Sequence, residues 1–279
     1  MPTYDTPQPI DLSIDLRVGA VDIVAGDRTD TVVTVSPTDP AKALDRRGAA
    51  ATTVDFDGRR LLITGPKPGL NWLGPAESVD LRVELPTGSR VSADVAVGAV
   101  RAVGRLGATR VKSSTGSVDL ERTGDLWVRA AHGSTTVGAA EGDVDITAKH
   151  GHIRLGTVDG DATLRSSHGS ITATECTGRL DVSLSYGDLE LTRALASVAA
   201  KTGYGSIRLG EVSTGSVEVE SGYGPVAIGV RAGVRARFDL SSKEGRVRNR
   251  LAEAASDPSA ALAVRAHARF GDVEIQPAR

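Results

Sequence analysis

VDITAKHGHIRLGTVDGDATLRSSHGSITATEC, residues 144–176, carries two copies of one pattern. In the first copy, apolar residues alternate over 144–148, Gly151 follows, and apolar residues alternate again over 153–155. Alternation with a period of two is typical of a β-strand with one buried face. Each copy therefore predicts two short strands on either side of a glycine corner.

The corner glycine recurs every 18 residues through the middle of the chain. The series is Gly133, Gly151, Gly169, Gly187 and Gly205. A second turn signal lies nine residues earlier, at Gly124, Gly142, Gly160 and Gly178. Short strands at this period, with no helical segment between them, cannot pair as hairpins, so each must lie about 4.8 Å from its counterpart in the next repeat. We call one repeat a coil and predict two corners per coil, with a third near five residues after the glycine.

The fixed period predicts an all-β fold, a single parallel β-solenoid with about 18 residues per coil. A β-sandwich also has short strands and frequent turns, but it does not require a constant spacing. We expect a right-handed coil by analogy with other parallel crossovers. One domain is predicted over 1–279, with irregular N-terminal coils and loops in 1–95, regular coils in 96–245 and a C-terminal coil with an insertion in 246–279.

The ends of the chain depart from the period. Residues 37–60 are rich in Asp, Pro, Ala and Arg and interrupt the coils, and residues 66–75 form a loop that contains Trp72. Residues 252–261 form a second insertion. A solenoid must hide its terminal hydrogen-bonding edges, and irregular end coils commonly do so.

Composition excludes several classes of function. The net charge is −2, and no basic block would direct the chain to nucleic acid or to an anionic membrane. No stretch reaches the 18 apolar residues of a membrane span, and no signal peptide is visible, so we expect a cytoplasmic protein. The one cysteine, Cys176, excludes an internal disulfide and falls on an inward position of its coil.

Three stretches resemble a known family. They are LRVGAVDI at 16–23, VELPTGSRV at 83–91 and RFGDVEI at 269–275, together with the repeated Gly-(Ser/Asp)-(Ile/Val)-x-Leu units. They are similar to the bacterial β-strand-repeat proteins labelled "putative adhesins". The resemblance covers nearly the whole chain and implies a parallel β-solenoid. It supplies no catalytic residues and no cofactor.

A ring side chain stands directly before each corner glycine. These residues are His132, His150, His168, Tyr186 and Tyr204, followed by Tyr223 one residue off the period. Rings stacked about 4.8 Å apart stabilise one another and would cover the corner. The same strip would suit a protein partner or a glycan. A third reading is a zinc site, for which the candidate ligands are His132, His150, His152 and His168.

The remaining constellations are weaker. Acidic residues cluster near the second corner, at Asp125, Asp143, Asp145, Asp159 and Asp161. They would bind calcium or serve glycosidic chemistry if paired at the right distance, but aspartate at a corner more commonly accepts a backbone hydrogen bond. Left-handed β-helix acyltransferases share the 18-residue coil, yet their six-residue motif does not fit the inward runs of three and two residues here.

These observations predict a non-enzymatic scaffold without a cofactor. It would bind a protein partner, or another copy of itself through the coil ends or the ring-bearing edge. The alternative is a metal- or glycan-binding module that uses the His/Tyr strip.

Overall fold

The computed structural model describes residues 2–66, 76–251 and 261–278. They form an all-β parallel solenoid, as predicted. Trp72 and most of the second insertion lie outside the described residues. The chain divides into two compact units, Met1–Gly138 and Ala139–Arg279. The predictions of a single domain and of right-handedness stay predictions.

The described residues of the first unit contain thirteen strands and one helix, and the last of these strands ends two residues beyond Gly138. They are β1 (Thr3–Asp5), β2 (Asp11–Val18), β3 (Val21–Gly26), β4 (Asp30–Pro37), α1 (Ala43–Ala51), β5 (Thr53–Phe56), β6 (Arg60–Thr64), β7 (Val79–Pro86), β8 (Arg90–Val97), β9 (Val100–Arg105), β10 (Thr109–Thr115), β11 (Val118–Thr123), β12 (Leu126–His132) and β13 (Thr135–Ala140).

Fourteen strands lie in the part of the second unit that the structure describes, residues 139–251 and 261–278. They are β14 (Val144–His150), β15 (Ile153–Val158), β16 (Ala162–His168), β17 (Ile171–Cys176), β18 (Leu180–Tyr186), β19 (Leu189–Ala194), β20 (Val198–Tyr204), β21 (Ile207–Val212), β22 (Gly215–Tyr223), β23 (Val226–Val230), β24 (Ala236–Ser242), β25 (Val247–Asn249), β26 (Leu262–Phe270) and β27 (Val273–Pro277).

Each regular coil contributes one strand to each of two sheets. The strand before the corner glycine pairs with strands of the same kind, as β16 pairs in parallel with β14 and β18, and the strand after it does likewise. Inward residues on both strands are buried, including Leu164 and Ile171. β15 runs unbroken from Ile153 to Val158, so the third corner predicted five residues after the glycine is absent from this coil.

The first corner requires glycine for two reasons. Gly169 has φ +133°, a region that L side chains rarely adopt, and a Cβ there would lie 2.0 Å from the carbonyl oxygen of Gly151. The Gly169 N–H in turn donates to the carbonyl oxygen of Tyr186 at 3.0 Å. The corner glycines of successive coils form a column. Glycine is required throughout this column because the backbone of each corner lies directly against the backbone of the corner in the neighbouring coil.

The second corner is held by aspartate side chains. Asp143 Oδ1 accepts a hydrogen bond from the Asp161 N–H at 2.9 Å, and Asp161 Oδ1 accepts one from the Arg179 N–H at 2.7 Å. Each carboxylate therefore fixes the corner of the next coil. This confirms the backbone-acceptor interpretation for these two residues.

The interior is narrow and filled by aliphatic side chains. Cys176 is buried among them, as predicted, and its Sγ lies 3.4 Å from the carbonyl oxygen of Gly178. Burial raises the pKa of the Cys176 thiol to about 11, which keeps it protonated and unreactive at neutral pH.

The N-terminal coil of the first unit lies inside its sheets. The strand orders are β1-β4-β7-β3-β9-β11-β13 and β5-β6-β2-β8-β10-β12. β2 and β3 therefore pair directly with β8 and β9, and the intervening segment folds over their other side. β1, β4 and β5 pair antiparallel with their neighbours, which departs from the purely parallel pattern expected from the period.

A helix and an aromatic pair cover this end. α1 lies in the segment 37–60, which the sequence marked only as an interruption. The buried Asp45 carboxylate ties it down by accepting hydrogen bonds from the backbone N–H groups of Asp39 and Ser78. Tyr4 and Phe56 meet across the two sheets with ring centroids 4.8 Å apart. In the described part of the chain no helix has the length and apolar content to span a membrane.

The C-terminal coil of the second unit is also internal. The strand orders are β15-β17-β19-β21-β23-β27-β25 and β14-β16-β18-β20-β22-β26-β24. The last two strands in sequence, β26 and β27, lie between the preceding coil and β24/β25. The glycine series accordingly runs from Gly224 to Gly271 and then to Gly245, which differs from the order of these residues in the chain.

Candidate functional site

Six rings form a continuous stack in the second unit. His150, His168, Tyr186, Tyr204, Tyr223 and Phe270 follow one another with centroid separations of 4.6–5.0 Å. The interplanar angle is 14° for the histidine pair and 2–6° for the other four pairs. We call this set the ring ladder.

Strand register produces the ring ladder. Each ring ends a strand, and the backbone pairing aligns His168 with Tyr186 and Tyr204 with Tyr223. The corner that follows turns the chain away, so these side chains point outward. Tyr186, Tyr204, Tyr223 and Phe270 are 49%, 47%, 42% and 38% exposed. The ladder is therefore a surface feature built on rigid strands.

Phe270 was missed by the sequence prediction, although it obeys the same rule. It stands directly before a corner glycine, Gly271, and stacks on Tyr223 with centroids 4.6 Å apart. The insertion and the changed coil order hid this neighbour. Tyr223, which is one residue off the period, is in register because the extra residue of its coil lies earlier, between Val212 and Val217: Ala194 aligns with Val212, whereas Val198 aligns with Val217.

His132 belongs to the first unit. It is exposed at the end of β12 and pairs in register with Thr115, which in turn pairs with Val97. The column before the corner glycines thus has non-ring residues in the earlier coils of that unit.

His152 is placed differently from the other predicted site residues. It follows the corner glycine, and its Nδ1 accepts a hydrogen bond from the Ser170 N–H at 3.3 Å. Asp188 has the same role two coils further along the chain, where its Oδ1 accepts a hydrogen bond from the Ser206 N–H at 2.7 Å. His152 therefore acts as a corner acceptor and is separate from the ring ladder.

The stacked histidines are poorly arranged for one metal ion. Zinc binds imidazole nitrogen at about 2.0–2.1 Å, so two ligands of one ion lie at most about 4.2 Å apart. The ring centroids of His150 and His168 are 4.8 Å apart and the rings are nearly parallel, so the stacking distance exceeds that limit. Within the described residues, no group of three or more His, Cys, Asp or Glu side chains has a metal-binding arrangement.

Stacking determines which part of each ring a ligand can reach. An inner ring has both faces against its neighbours, so its exposed part is the ring edge, with the hydroxyl group in the tyrosines. Ring edges carry partial positive charge, and the tyrosine hydroxyl both donates and accepts hydrogen bonds. The ladder can thus contact a partner through a row of edges and polar tips.

The surface beside the ladder is open. A depression of about 470 Å³ is lined in part by Gly203 and Gly222, which directly precede Tyr204 and Tyr223 in the chain. Lys201, Lys243 and Arg269 line it, and Lys201 forms an ion pair with Glu220 at 3.0 Å. A partner that contacts the ring edges would also meet this basic rim.

Trp127, a half-buried aromatic residue of β12, was not singled out from the sequence. The guanidinium carbons of Arg110 and Arg129 lie 3.6 and 4.3 Å from its ring centroid. Such cation–π contacts contribute about 0.5–1 kcal/mol each at exposed sites. They stabilise the outer surface of β10 and β12 and leave the indole little free face.

Removing one ring is expected to destabilise the second unit. Tyr204→Ala eliminates two stacking contacts, each worth about 0.5–1.5 kcal/mol, and should lower the free energy of unfolding by about 1–3 kcal/mol. Tyr204→Phe keeps both contacts and serves as the control. Urea denaturation of the two variants measures the difference, and equal stability would contradict a cooperative ladder.

Asp188 should make a pH-dependent contribution. Hydrogen bonds from the backbone N–H and then the hydroxyl of Ser206 hold its pKa below the ordinary value of 3.8. The contribution is therefore complete above the unfolded pKa and is lost as the pH falls through the lower folded pKa. Because Asp188 is exposed, Asp188→Asn should cost no more than about 1 kcal/mol at pH 7. Unfolding curves of both proteins should converge at acid pH; a constant difference would contradict this account.

Comparison with known proteins identifies a family and several similar structures. The family described as Toastrack DUF4097 matches residues 11–276. No curated protein matches the chain.

Three solved structures illustrate the likeness. A "putative adhesin" from Bacteroides fragilis is 14% identical with a TM-score of 0.37, covering 98% of this chain and 95% of its own. A "putative adhesin" from Parabacteroides merdae is 11% identical with a TM-score of 0.37, covering 98% and 94%. A "putative lipid binding protein" from Parabacteroides distasonis is 10% identical with a TM-score of 0.35, covering 97% and 96%. We draw no function from similarities at this level.

Proposed function

We propose that this chain, which belongs to the Toastrack DUF4097 family, is a non-enzymatic scaffold that binds a protein partner along the ring ladder. The observation that carries the proposal is the run of exposed rings, which are held at strand spacing by the register of the sheet. The rings are fixed before any partner arrives, so binding would require little ordering of side chains.

The chemistry of the strip favours a protein partner. Tyrosine is enriched in protein interfaces because it combines a large apolar surface with a polar tip. Three tyrosines here present those tips in one row, and the basic rim of Lys201, Lys243 and Arg269 lies beside them. The partner should therefore carry hydrogen-bonding groups and carboxylates on a flat surface.

The glycan alternative fits less well. A sugar ring stacks on an exposed aromatic face, whereas the inner rings of the ladder have their faces covered by one another. Only an end ring such as Phe270 has a face without a ring neighbour in the described residues. The zinc alternative would require His150 and His168 to leave their stacked arrangement.

Site-specific photocrosslinking tests the proposal. A benzoylphenylalanine at position 204 keeps an aromatic ring in the ladder, and the same group at Arg154 provides a control on the outer face of β15. We expect a discrete protein adduct in intact cells from position 204 and none from position 154. The partner is sought in the cytoplasm, the compartment predicted from the sequence. Identical adducts at both positions, or none at 204, would contradict the proposal.

A further inference from the structure

The last coil of the second unit has an unpaired sheet edge. β24 pairs with β26 on one side, and within the described residues no strand lies on its other side. At seven residues it is long for an exposed edge, and unprotected edges of this kind pair with other chains. It contains neither proline nor an inward-pointing charge that would prevent such pairing.

Two backbone hydrogen bonds define which groups of β24 face outward. The Leu262 N–H donates to the Arg235 carbonyl oxygen at 3.4 Å, and the Lys243 N–H donates to the Ala268 carbonyl oxygen at 3.1 Å. In a parallel ladder every second residue bonds to the same neighbour, so the odd-numbered residues face β26. The N–H and C=O groups of Ala236, Phe238 and Leu240 therefore point away from the sheet.

The interior of this coil is also incompletely covered. Phe238 and Leu240 are aligned with the buried Val264 and Ala266 but are themselves partly exposed. In β25, Val247 is 45% exposed although its counterpart Val273 is fully buried. In the first unit, by contrast, the rings of Tyr4 and Phe56 pack against each other where β1 and β5 end their sheets.

The charges on β24 are self-complementary. Arg237 and Asp239 flank Phe238 on the outer face of the strand. Asp239 forms an ion pair with Arg265 at 3.3 Å, whereas no carboxylate of the described residues pairs with Arg237. In an antiparallel pair centred on Phe238, Arg237 of each copy lies opposite Asp239 of the other.

We propose that β24 pairs antiparallel with β24 of a second copy, around a two-fold axis at Phe238. This register joins the outward backbone groups of Ala236, Phe238 and Leu240, brings the two Phe238 side chains together and forms two Arg237–Asp239 pairs. It is an isologous contact, which closes at a dimer. It uses a surface apart from the ring ladder and does not depend on the proposed function.

Charge favours this register over the two centred on the neighbouring outward residues, Leu240 and Ala236. A pair centred on Leu240 places Arg237 opposite Lys243, and one centred on Ala236 places it opposite Arg235. Like charges directly opposite in a sheet are destabilising. The pair centred on Phe238 instead places Arg237 opposite Asp239.

Charge-reversal variants test the dimer. In Arg237→Asp each Asp239 would face a new carboxylate, and in Asp239→Arg each Arg237 would face a new guanidinium. We expect each variant alone to raise the dimer dissociation constant about tenfold or more. Mixing them should restore the dimer, because both pairs become complementary in the heterodimer. Sedimentation equilibrium measures all three, and Arg154→Asp is the control that should leave association unchanged.

Leu240→Pro provides an independent test of the dimer. It removes an outward N–H that the monomer does not use, so the fold should persist while the dimer is lost. Thermal unfolding confirms that each variant is folded before mixing. A wild-type chain that stays monomeric at high concentration would overturn the proposal. A dimer indifferent to all three variants would overturn it as well. Neither result affects crosslinking at position 204.

Discussion

Gly169→Ala is expected to unfold the middle of the second unit. A Cβ at this position would lie 2.0 Å from the carbonyl oxygen of Gly151 and 2.6 Å from its carbonyl carbon. Both atoms belong to the backbone of the stacked coil, which cannot rotate away as a flexible side chain would. Relief requires separating two coils, and the corner hydrogen bond from the Gly169 N–H to Tyr186 would be strained.

The expected loss is more than about 4 kcal/mol in the free energy of unfolding. Of this, the left-handed backbone alone accounts for about 1–2 kcal/mol. Gly233→Ala isolates that part, because Gly233 also has a positive φ, +79°, but a Cβ there would meet no atom within 4 Å. Chemical denaturation of both variants measures the difference. If Gly169→Ala were no worse than Gly233→Ala, the backbone contact could not be the reason for the glycine column.

The regular coils could be predicted from sequence because their constraints are local. Burial of every second residue and a tight corner each leave a residue-type signature, and both repeat at 18. Cys176 was placed inside the coil on this basis alone, and the structure buries it. The backbone-acceptor role of Asp143 and Asp161 followed from corner chemistry in the same way.

The ends could not be predicted because strand neighbours there are not set by the period. Once an insertion separates two coils, the sequence pattern fits either stacking order of those coils. The order is determined by the pairing of Leu262 and Val273 with the preceding coil. α1 escaped detection because its alanine-rich segment, 43–51, lacks an apolar stripe. It is anchored by Asp45, whose partner Ser78 is distant in sequence.

Five of the six rings of the ring ladder were predicted from the sequence, and the sixth, Phe270, was not. The rule of a ring before each corner glycine identified His150 through Tyr223, and the same rule applied at Gly271 finds Phe270. His152 shows that proximity in sequence to a ring of the ladder does not predict membership of the ladder. It is two residues from His150, yet it lies beyond the corner and bonds to backbone.

Two deletions distinguish the observed order of the terminal coils from the chain order. The first ends the chain after residue 260 and removes β26 and β27. If the coils followed chain order, this would trim one terminal coil. In the structure it removes an internal coil, so β24 and β25 lose the strands with which they pair. Leu262, Val264, Val273 and Ile275, all buried, would be lost together.

We expect this truncation to cost more than about 5 kcal/mol, since full burial of each such side chain contributes about 1.5–3 kcal/mol. The newly exposed β22 and β23 would also favour aggregation. Reduced solubility and a lower unfolding midpoint, measured by circular dichroism, are the expected result. A truncated chain as stable as the full one would contradict the observed order.

The second deletion removes residues 235–260 and joins Val234 to Ala261. It takes away the outermost coil while β26 and β27 keep their pairing with β22 and β23. The new connection has a precedent within the fold: Val230 and Leu262 are aligned with Val212 and Gly215, which only two residues separate in the chain. The five residues that remain between Val230 and Leu262 are therefore sufficient. This longer deletion should leave the unfolding midpoint nearly unchanged, while the shorter truncation should lower it, because stability depends on the position of a coil in the stack and not on its position in the chain.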